Sequence, residues 1–230
     1  GGHGDYRLLV FAPNSVQEMV DLTVTAFDRA DFYRNPALIL GDGVIGQMME
    51  PVLLPEAIDP KSLPKKEWCA VGTNGRTKTN VVNSLYLNPE ACERHNLDLQ
   101  EKYRKISESE VRWEEINTED ADWVIVAYGI SSRMALTVMQ TAREKGLKVG
   151  IFRPITLWPF PKAALKELSE RVKGFLVVEQ SAGQMLEDVQ LVVGDRKPIS
   201  FYGRAGGILP KPMEILAHLE EFIKEQGEQK

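Results

Sequence analysis

From residue 122 onward, short apolar runs alternate with amphipathic segments, and glycine or proline marks most of the changes. The apolar runs predict strands, and the segments between them have the apolar spacing of helices. The predicted strands are 124–128, 148–152, 175–179 and 198–202, and the predicted helices are 131–145, 161–173, 183–193 and 212–224. Strands that alternate with helices form a parallel sheet with helices on both faces. The sequence therefore predicts a doubly wound, three-layer α/β domain over residues 121–230.

The first fifty residues hold one further strand–helix–strand unit. Apolar runs at 7–12 and 37–40 predict two strands, and Ser15 and Glu18 between them fit the capping box that opens a helix. One such unit cannot bury both faces of a parallel sheet. Residues 1–50 are therefore predicted to be the last piece of a larger α/β domain. Its open edges, near both strands, predict self-association or a need for a partner.

Residues 51–120 are predicted to form a linker and a helical arm. Prolines and a polar tip at 72–78 indicate loops. A charged helix is predicted to follow, to about residue 115. Asn88 supplies its N-cap, Pro89 its first-turn proline and Glu90 its acidic first turn. Its apolar positions recur every seven residues, at Cys92, Leu99, Ile106 and Trp113. This narrow stripe favours a helix that lies on its own domain. The alternative is an arm that packs on a partner subunit.

Composition limits the classes of function. A formal net charge of -5 disfavours wholesale binding to nucleic acid, and no apolar run approaches the ~18 residues of a membrane span. Cys69 and Cys92 form no CxxC motif, so a cytoplasmic location without disulfides is expected. An iron–sulfur cluster takes about four thiolates, so this chain is not expected to hold one alone. The histidines are far apart in sequence, and no metal site is predicted.

The carboxyl ends of the predicted strands carry the candidate site residues, because ligands and partner surfaces collect there in parallel sheets. In the second domain these candidates are Gly129, Ser131, Arg153, Gln180, Gly183, Gln184 and Arg204, together with Trp158 in the proline-rich loop after Arg153. Two roles are considered for Arg153 and Arg204: binding of phosphate, or ion pairs at the surface or at an interface. The ion pairs are favoured because exposed ion pairs are common. These loops are expected to form a subunit contact.

Other motifs are weaker. The second domain has no G-x-G-x-x-G at its first strand–helix turn, and the chain has no Walker A motif, which disfavours a dinucleotide or P-loop site. Gly41-Asp42-Gly43 resembles a metal motif of thiamine diphosphate enzymes, but a proline-rich linker follows it and Asn74 lies in a turn-rich tip. Asp42 is therefore interpreted as a strand-end turn residue. His3 and Asp5 are only weak indications of acid–base chemistry and are kept as loop candidates.

Seven segments in unchanged order resemble the alpha subunit of 2-oxoacid:ferredoxin oxidoreductases, and above all its branched-chain (2-oxoisovalerate) type. They include GGHGDYR, GDGVIGQMMEP, VVNSLYLNPE, PITLWPFP and FYGRAGG. The resemblance implies the end of a thiamine-diphosphate pyrimidine-type domain over 1–50 and a transketolase C-terminal-like domain over 121–230. It implies an enzyme that converts a 2-oxoacid and CoA to acyl-CoA, CO2 and reduced ferredoxin.

The resemblance assigns no catalytic residue to this chain. In the family, the cofactor-activating glutamate and the arginine-bearing substrate loop lie upstream of GGHGDYR. The beta subunit holds thiamine diphosphate and Mg²⁺, and other subunits hold the iron–sulfur clusters. The chain is thus expected to be a C-terminal fragment that serves as scaffold and subunit interface in an oligomer, binds no cofactor alone and meets ferredoxin and CoA only indirectly. The alternatives are a non-catalytic assembly module and the C-terminal domain of another thiamine-dependent transferase.

Overall fold

The computed structural model describes residues 3–63, 65–73 and 75–228, and Asn74 lies outside these residues. The strands are β1 (Leu9–Phe11), β2 (Ala37–Ile39), β3 (Trp113–Ile116), β4 (Trp123–Ala127), β5 (Val149–Pro154), β6 (Thr156–Trp158), β7 (Gly174–Glu179) and β8 (Ile199–Gly203). The helices are α1 (Val16–Tyr33), α2 (Pro89–Ser109), α3 (Gly129–Glu144), α4 (Lys162–Arg171), α5 (Gln184–Val193) and α6 (Pro212–Glu228). Short 3₁₀ turns lie at Ile45–Gln47, Pro60–Ser62 and Gly194–Arg196.

The larger sheet has the strand order β3-β5-β4-β7-β8. Its last four strands are parallel, whereas β3 is antiparallel to β5. On one face, Phe152 and Phe175 pack with apolar residues of α4 and α5. On the other face, Ile125 and Leu176 pack with α3 and α6. Since every residue of β4, β5 and β7 is buried, this is the predicted three-layer α/β domain.

Two boundaries of the prediction are wrong. The charged helix ends at Ser109, and Trp113 begins β3, where it pairs with Pro154. A cross-strand partner far along the chain thus overrides the seven-residue spacing, as tertiary context commonly does. Helix α3 begins at Gly129 instead of at Ser131 or Ser132.

The smaller sheet has the order β2-β1-β6. Strand β1 is parallel to β2 and antiparallel to β6, so that Val10 lies opposite Trp158. The proline-rich loop therefore contributes an edge strand, the position in a sheet that tolerates neighbouring prolines. The expected open edge at residues 7–12 is wrong because β6 covers it. Among the described residues, the outer edge of β2 has no strand partner.

Helices α1 and α2 complete the core of the smaller sheet. Leu9, Phe11 and Leu22 are buried together with Tyr103 and Ile106 of α2. The interpretation that the charged helix lies on its own chain is thus confirmed for its C-terminal half. Helix α1 begins as predicted, because the Ser15 hydroxyl accepts a hydrogen bond from the Glu18 N–H at 3.1 Å.

Residues 48–87, between these helices, contain no helix or strand apart from the turn Pro60–Ser62 in their described parts. Several of their apolar side chains point into solvent, including Met49, Leu53 and Leu87, which are 99%, 82% and 86% exposed. Within the described ranges, no helix is both long and apolar enough to span a membrane.

Candidate functional site

A cleft of about 260 Å³ opens where the ends of strands from both sheets meet. Its walls follow β2, β4 and β7, at the edge of the larger sheet where parallel strands present their carboxyl ends. The polar lining residues are Asp42, Tyr128, Ser131, Gln180, Ser181 and Gln184. The sequence prediction placed four of the lining residues at strand ends: Gly129, Ser131, Gln180 and Gln184. It did not single out Tyr128 or Ser181.

Asp42 links the two sheets across this cleft. One carboxylate oxygen, Oδ1, accepts hydrogen bonds from the backbone N–H groups of Val44 and Ile45 at 3.0 and 2.9 Å. The other, Oδ2, accepts one from the Ile130 N–H at 2.8 Å and so caps helix α3, which packs on the larger sheet. The interpretation of Asp42 as a strand-end turn residue is confirmed, but its bond to α3 was not foreseen.

Gly129 makes this close approach possible. Its φ is +56°, a left-handed conformation that favours glycine. A Cβ at this position would lie 2.8 Å from Oδ2 of Asp42. The glycine is therefore required both by the backbone turn into α3 and by the capping carboxylate.

Further hydrogen bonds hold the same junction. Arg133 of α3 pairs with Glu50 at 2.8 Å and also donates to the Asn14 carbonyl at 3.3 Å. The second carboxylate oxygen of Glu50 accepts the Val16 N–H at 3.0 Å. The hydrogen bond from Val16, followed by that from Arg133, lowers the pKa of Glu50 below its usual value. Helices α1 and α3 are thus tied to one carboxylate.

A buried carboxylate supports the opposite wall. Glu179, at the end of β7, is fully buried, and its carboxylate accepts the N–H groups of Met185 and Leu186 at 3.1 and 2.9 Å. It also accepts the Ser181 hydroxyl at 2.5 Å. These donors and the positive end of α5 stabilise the negative charge where water is excluded. The sequence analysis did not predict this cap. The signal that could have found it is a single acidic residue at the end of an apolar strand, just before a helix.

Tyr128 lies between the two carboxylates. Burial raises the pKa of its hydroxyl above the usual value, the charges of Glu179 and Asp42 act in the same direction, and a hydrogen bond with Ser181 opposes them. The phenol therefore stays protonated at neutral pH and can both donate and accept a hydrogen bond.

Three other lining side chains have unused hydrogen-bonding groups. In the part of the chain that the structure describes, the side chains of Ser131, Gln180 and Gln184 make no hydrogen bond. Ser131 is only 2% exposed, so its hydroxyl is held at the cleft wall and not on the open surface. Gly183, also a sequence candidate, has a φ of 101° and precedes α5, where it directs the chain from Ser181 to Gln184.

The structure places the remaining candidates elsewhere. Arg153 is 3% exposed and pairs with Glu18 at 2.5 Å and Glu114 at 2.9 Å, all within one chain. The expectation that Arg153 faces a partner subunit is therefore wrong: in β5 it lies opposite Glu114 of β3, which directs it into the molecule. Trp158 packs edge-on against Tyr103, with ring centroids 5.8 Å apart, and belongs to the core of the smaller sheet.

Arg204 forms the ion pair that was favoured for it, with Glu214 at 2.5 Å, and does not line the cleft. The Tyr202 hydroxyl donates to the same carboxylate at 2.7 Å. These hydrogen bonds lower the pKa of Glu214 to about 2. His3 and Asp5 are exposed near α2, where the Asp5 carbonyl accepts a hydrogen bond from Gln100. Neither residue reaches the cleft.

A second and more open groove, of about 490 Å³, lies beside the start of α2. Tyr86 stacks on His95 there, with ring centroids 4.6 Å apart. The charged residues Glu90, Arg94 and Asp98 along it are all exposed. Because these groups remain hydrated, the groove offers a weaker site than the cleft between the sheets.

Two family models match the chain. "Pyruvate flavodoxin/ferredoxin oxidoreductase, thiamine diP-bdg" covers residues 3–140. "Pyruvate:ferredoxin oxidoreductase core domain II" covers residues 121–215. Of the cleft residues, 40–42 fall in the first match, 180–184 fall in the second, and 128–131 fall in both.

Curated relatives agree with these families. The chain is 48% identical over 229 residues to the ketoisovalerate oxidoreductase subunit VorB of Methanothermobacter marburgensis, covering 99% of this chain and 64% of the relative. It is 32% identical over 240 residues to the 2-oxoglutarate synthase subunit KorA of the same organism, covering 94% of this chain and 64% of that relative. The chain thus spans 64% of the length of these relatives.

Solved structures share the fold. The 2-oxoglutarate:ferredoxin oxidoreductase from Magnetococcus marinus, solved with 2-oxoglutarate, coenzyme A and succinyl-CoA bound, superimposes with a TM-score of 0.75 at 21% identity, covering 96% of this chain and 43% of that chain. A split gene transketolase gives a TM-score of 0.52 at 15% identity, covering 93% of this chain and 56% of that chain.

Proposed function

The chain belongs to the pyruvate flavodoxin/ferredoxin oxidoreductase family, and we propose that it is part of a subunit that oxidises a branched-chain 2-oxoacid, 2-oxoisovalerate, with CoA. In this reaction the bond between the carboxylate and carbonyl carbons breaks and CO2 leaves. The carbonyl carbon forms a thioester with the sulfur of CoA, the thiol proton of CoA is released, and two electrons pass to oxidised ferredoxin. The observation that carries the proposal is the 48% identity to a ketoisovalerate oxidoreductase subunit over 99% of this chain.

The described residues that line this cleft do not match the diphosphate and metal of thiamine diphosphate. The cleft lining contains no lysine or arginine, and both oxygens of Asp42 already accept backbone N–H groups. In the described ranges, no group of three or more His, Cys, Asp or Glu residues is arranged to hold a metal ion. We therefore assign thiamine diphosphate, Mg²⁺ and the iron–sulfur clusters to other residues of the enzyme. When bound, the cofactor would supply the electron sink for decarboxylation.

The proposed contribution of this chain is placement. It fixes the position of segment 1–50 relative to segment 121–230. We retain these two segments and the linker 51–120 as the proposed division of the chain. Strand β6 qualifies that division, because it lies in the third segment and completes the sheet of the first. The exposed apolar side chains of residues 48–87 support contact with the other subunits of the enzyme.

The test is reconstitution. The chain is produced together with beta and iron–sulfur subunits of the proposed enzyme, as a full-length subunit where a longer frame exists. CoA-dependent reduction of ferredoxin is then measured with different 2-oxoacids. We expect the highest kcat/KM with 2-oxoisovalerate, and lower values with pyruvate and 2-oxoglutarate. A complex that assembles but oxidises none of these acids would instead support a non-catalytic assembly module.

A further inference from the structure

The chain exposes more surface than a compact protein of its size. Its accessible surface is 14237 Å², whereas a compact monomer of the same mass exposes about 10,500 Å². The excess of roughly 3,700 Å² is larger than the ~1,000–2,500 Å² that each partner buries in an obligate interface. Residues 48–87 contribute to it, because most of their described residues are exposed. The chain therefore has enough surface for a stable partner to cover.

Two consecutive segments of this region differ in character. Residues 61–80, the basic loop, hold five lysine or arginine residues and one acidic residue, in a chain whose formal net charge is -5. Within the described residues, Lys61, Lys65 and Lys78 are exposed and form no ion pair. Residues 81–87, the apolar strip, hold no charged residue, and all seven are exposed. Positive charge and apolar side chains thus lie next to each other in the chain.

The basic loop is held in one shape by its own backbone and by α1. Arg76 donates to the carbonyls of Glu67 and Thr73 at 3.1 and 3.2 Å, which closes the loop. At its base, the Arg34 guanidinium of α1 lies 5.0 Å from the centre of the Trp68 ring. A loop that is already ordered loses less entropy when a partner binds, so its charges are preorganised for docking.

The apolar strip has the properties of a strand that lacks a partner. Its residues Val81, Val82, Leu85 and Leu87 are between 61% and 86% exposed, and β-branched and aromatic residues such as those of the strip favour strands. Within the described residues, the backbone groups of Val81, Val82 and Leu87 make no hydrogen bond. The edge strand of another sheet would satisfy these groups by pairing with them.

The charge of the basic loop selects the kind of partner. A symmetric contact between two copies through this surface would bring two basic loops together, and like charges repel. Lipid would leave the unpaired backbone groups of the apolar strip without partners, which disfavours a membrane. Nucleic acid is disfavoured by the net negative charge of the chain. A different protein, with acidic side chains beside an apolar sheet edge, fits both segments.

We propose that the basic loop and the apolar strip dock on an acidic subunit of the same enzyme. The basic loop attracts the acidic side chains, and the apolar strip adds as a strand to the edge of that subunit's sheet. The inference rests on the proposed function, which supplies the other subunits, and it adds the chemistry of the one that binds here. Charge attraction speeds the encounter, while strand pairing and burial of Leu85 and Leu87 slow dissociation.

The first experiment tests the basic loop. The beta subunit and the iron–sulfur subunits of the proposed enzyme are purified separately, and the Kd of each for the full chain is measured by biolayer interferometry. Lys65→Glu/Lys78→Glu is compared with Lys162→Glu/Lys166→Glu, which makes the same charge change at exposed residues of α4. We expect the Kd for one subunit to rise about tenfold or more in the loop variant and less than about twofold in the control. The difference should shrink as the salt concentration rises from about 0.1 M to about 0.5 M.

The second experiment tests the apolar strip. Leu87→Ser should raise the Kd for the same subunit about tenfold, the effect expected for an interface anchor. Leu191→Ser, which changes a leucine that is 73% exposed in α5, should leave the Kd unchanged. In the complex, amide hydrogen exchange at Val82 and Leu87 should slow about tenfold or more, because strand pairing protects amides that are free in the unbound chain.

The remaining outcomes overturn one proposal or the other. Equal Kd values for the loop variant and its control, or unchanged amide exchange in the apolar strip, overturn this inference. It is also overturned if the basic loop instead binds a second copy of the chain, phosphatidylserine vesicles or duplex DNA. If 2-oxoacids are oxidised and all variants assemble normally, only this inference fails. If the complex forms through this surface but oxidises no 2-oxoacid, the proposed function fails and the docking surface stands.

Discussion

The two sheets meet at two places that differ in how fully they exclude water. At the strand junction, formed by β1, β6 and Arg153, a backbone hydrogen bond joins the end of β1 to the residue between β5 and β6: the Ala12 N–H donates to the Ile155 carbonyl at 2.8 Å. Thr156 is fully buried, and its hydroxyl donates to the Pro159 carbonyl at 2.8 Å. The strand junction therefore gains from burial of apolar area as well as from hydrogen bonds.

The cap junction, formed by Asp42, Gly129, Glu50 and Arg133, is different. Its bonds are polar, and its side chains keep contact with solvent: the Glu50 and Arg133 side chains are 25% and 35% exposed. Here a carboxylate of one unit caps a helix of the other, and a cleft remains beside it. The strand junction fixes the two units together, while the cap junction sets the shape of an open site. Large stability effects are therefore expected at the first and small ones at the second.

The largest effect is expected from Trp158→Ala at the strand junction. The change removes the ring that packs on Tyr103 and leaves a cavity between β6 and α2. We expect a loss of about 3 kcal/mol in the free energy of unfolding, measured in urea. Hydrogen exchange should accelerate in β1 and β6 and change little in β4 and β7.

One result for Trp158→Ala would contradict this role of the ring at the strand junction. If Trp158→Ala leaves exchange in β1 unchanged and only weakens assembly with the other subunits, the ring is an interface group and the strand junction does not depend on it.

The next effect is expected from Arg153→Met. The guanidinium is buried and joins Glu18 of α1 to Glu114 of β3. Because both carboxylates remain partly exposed and can be hydrated after the change, we expect a loss of about 2 kcal/mol in the free energy of unfolding, less than for a fully buried pair. Arg171→Met, which removes an exposed pair with Glu115, is the control and should cost less than about 1 kcal/mol. Equal losses of unfolding free energy in both variants would show that the burial of Arg153 does not increase its contribution to stability.

Local patterns were sufficient to predict the larger sheet. Each strand–helix pair after residue 122 has its own apolar period and its own glycine or proline boundary, so no distant contact was needed. Strand β3 was missed because the seven-residue spacing of α2 continues through Trp113, whose strand partner, Pro154, lies far along the chain. Strand β6 was missed because three prolines surround it.

The site was predicted only in part, for a related reason. Strand ends converge at one edge of a parallel sheet, and the strand-end candidates Gly129, Ser131, Gln180 and Gln184 do line one cleft there. The bond between Asp42 and Ile130 joins residues 88 positions apart and depends on how two units dock. The direction of Arg153 depends on strand alternation, where a shift of one residue moves a side chain to the other face. Neither can be obtained from local periodicity.

A smaller effect is expected at the cap junction, from Asp42→Ala. The variant removes the acceptor for the Ile130 N–H and for the 3₁₀ turn after β2. We expect a loss of about 1 kcal/mol in the free energy of unfolding, with faster hydrogen exchange in the first turn of α3. Asp59→Ala removes a similar cap at an exposed turn, where Asp59 accepts the Lys61 N–H at 2.9 Å, and should leave α3 unchanged. If α3 exchanges at its original rate in Asp42→Ala, the two units dock without this carboxylate.

The smallest effect concerns pH and Glu50, whose pKa is lowered from 4.5 by the Val16 N–H and by Arg133. A carboxylate whose pKa is lower in the folded state stabilises the fold above its unfolded pKa and loses this contribution as the pH falls below about 4.5. Glu50→Gln should therefore flatten the acid dependence of hydrogen exchange in the first turns of α1 and α3. Glu214→Gln, which removes a carboxylate of pKa about 2 from the first turn of α6, is the matched control and should not alter α1. If acid loosens α1 equally in Glu50→Gln and in the original chain, a group other than Glu50 sets the pH response of the cap junction.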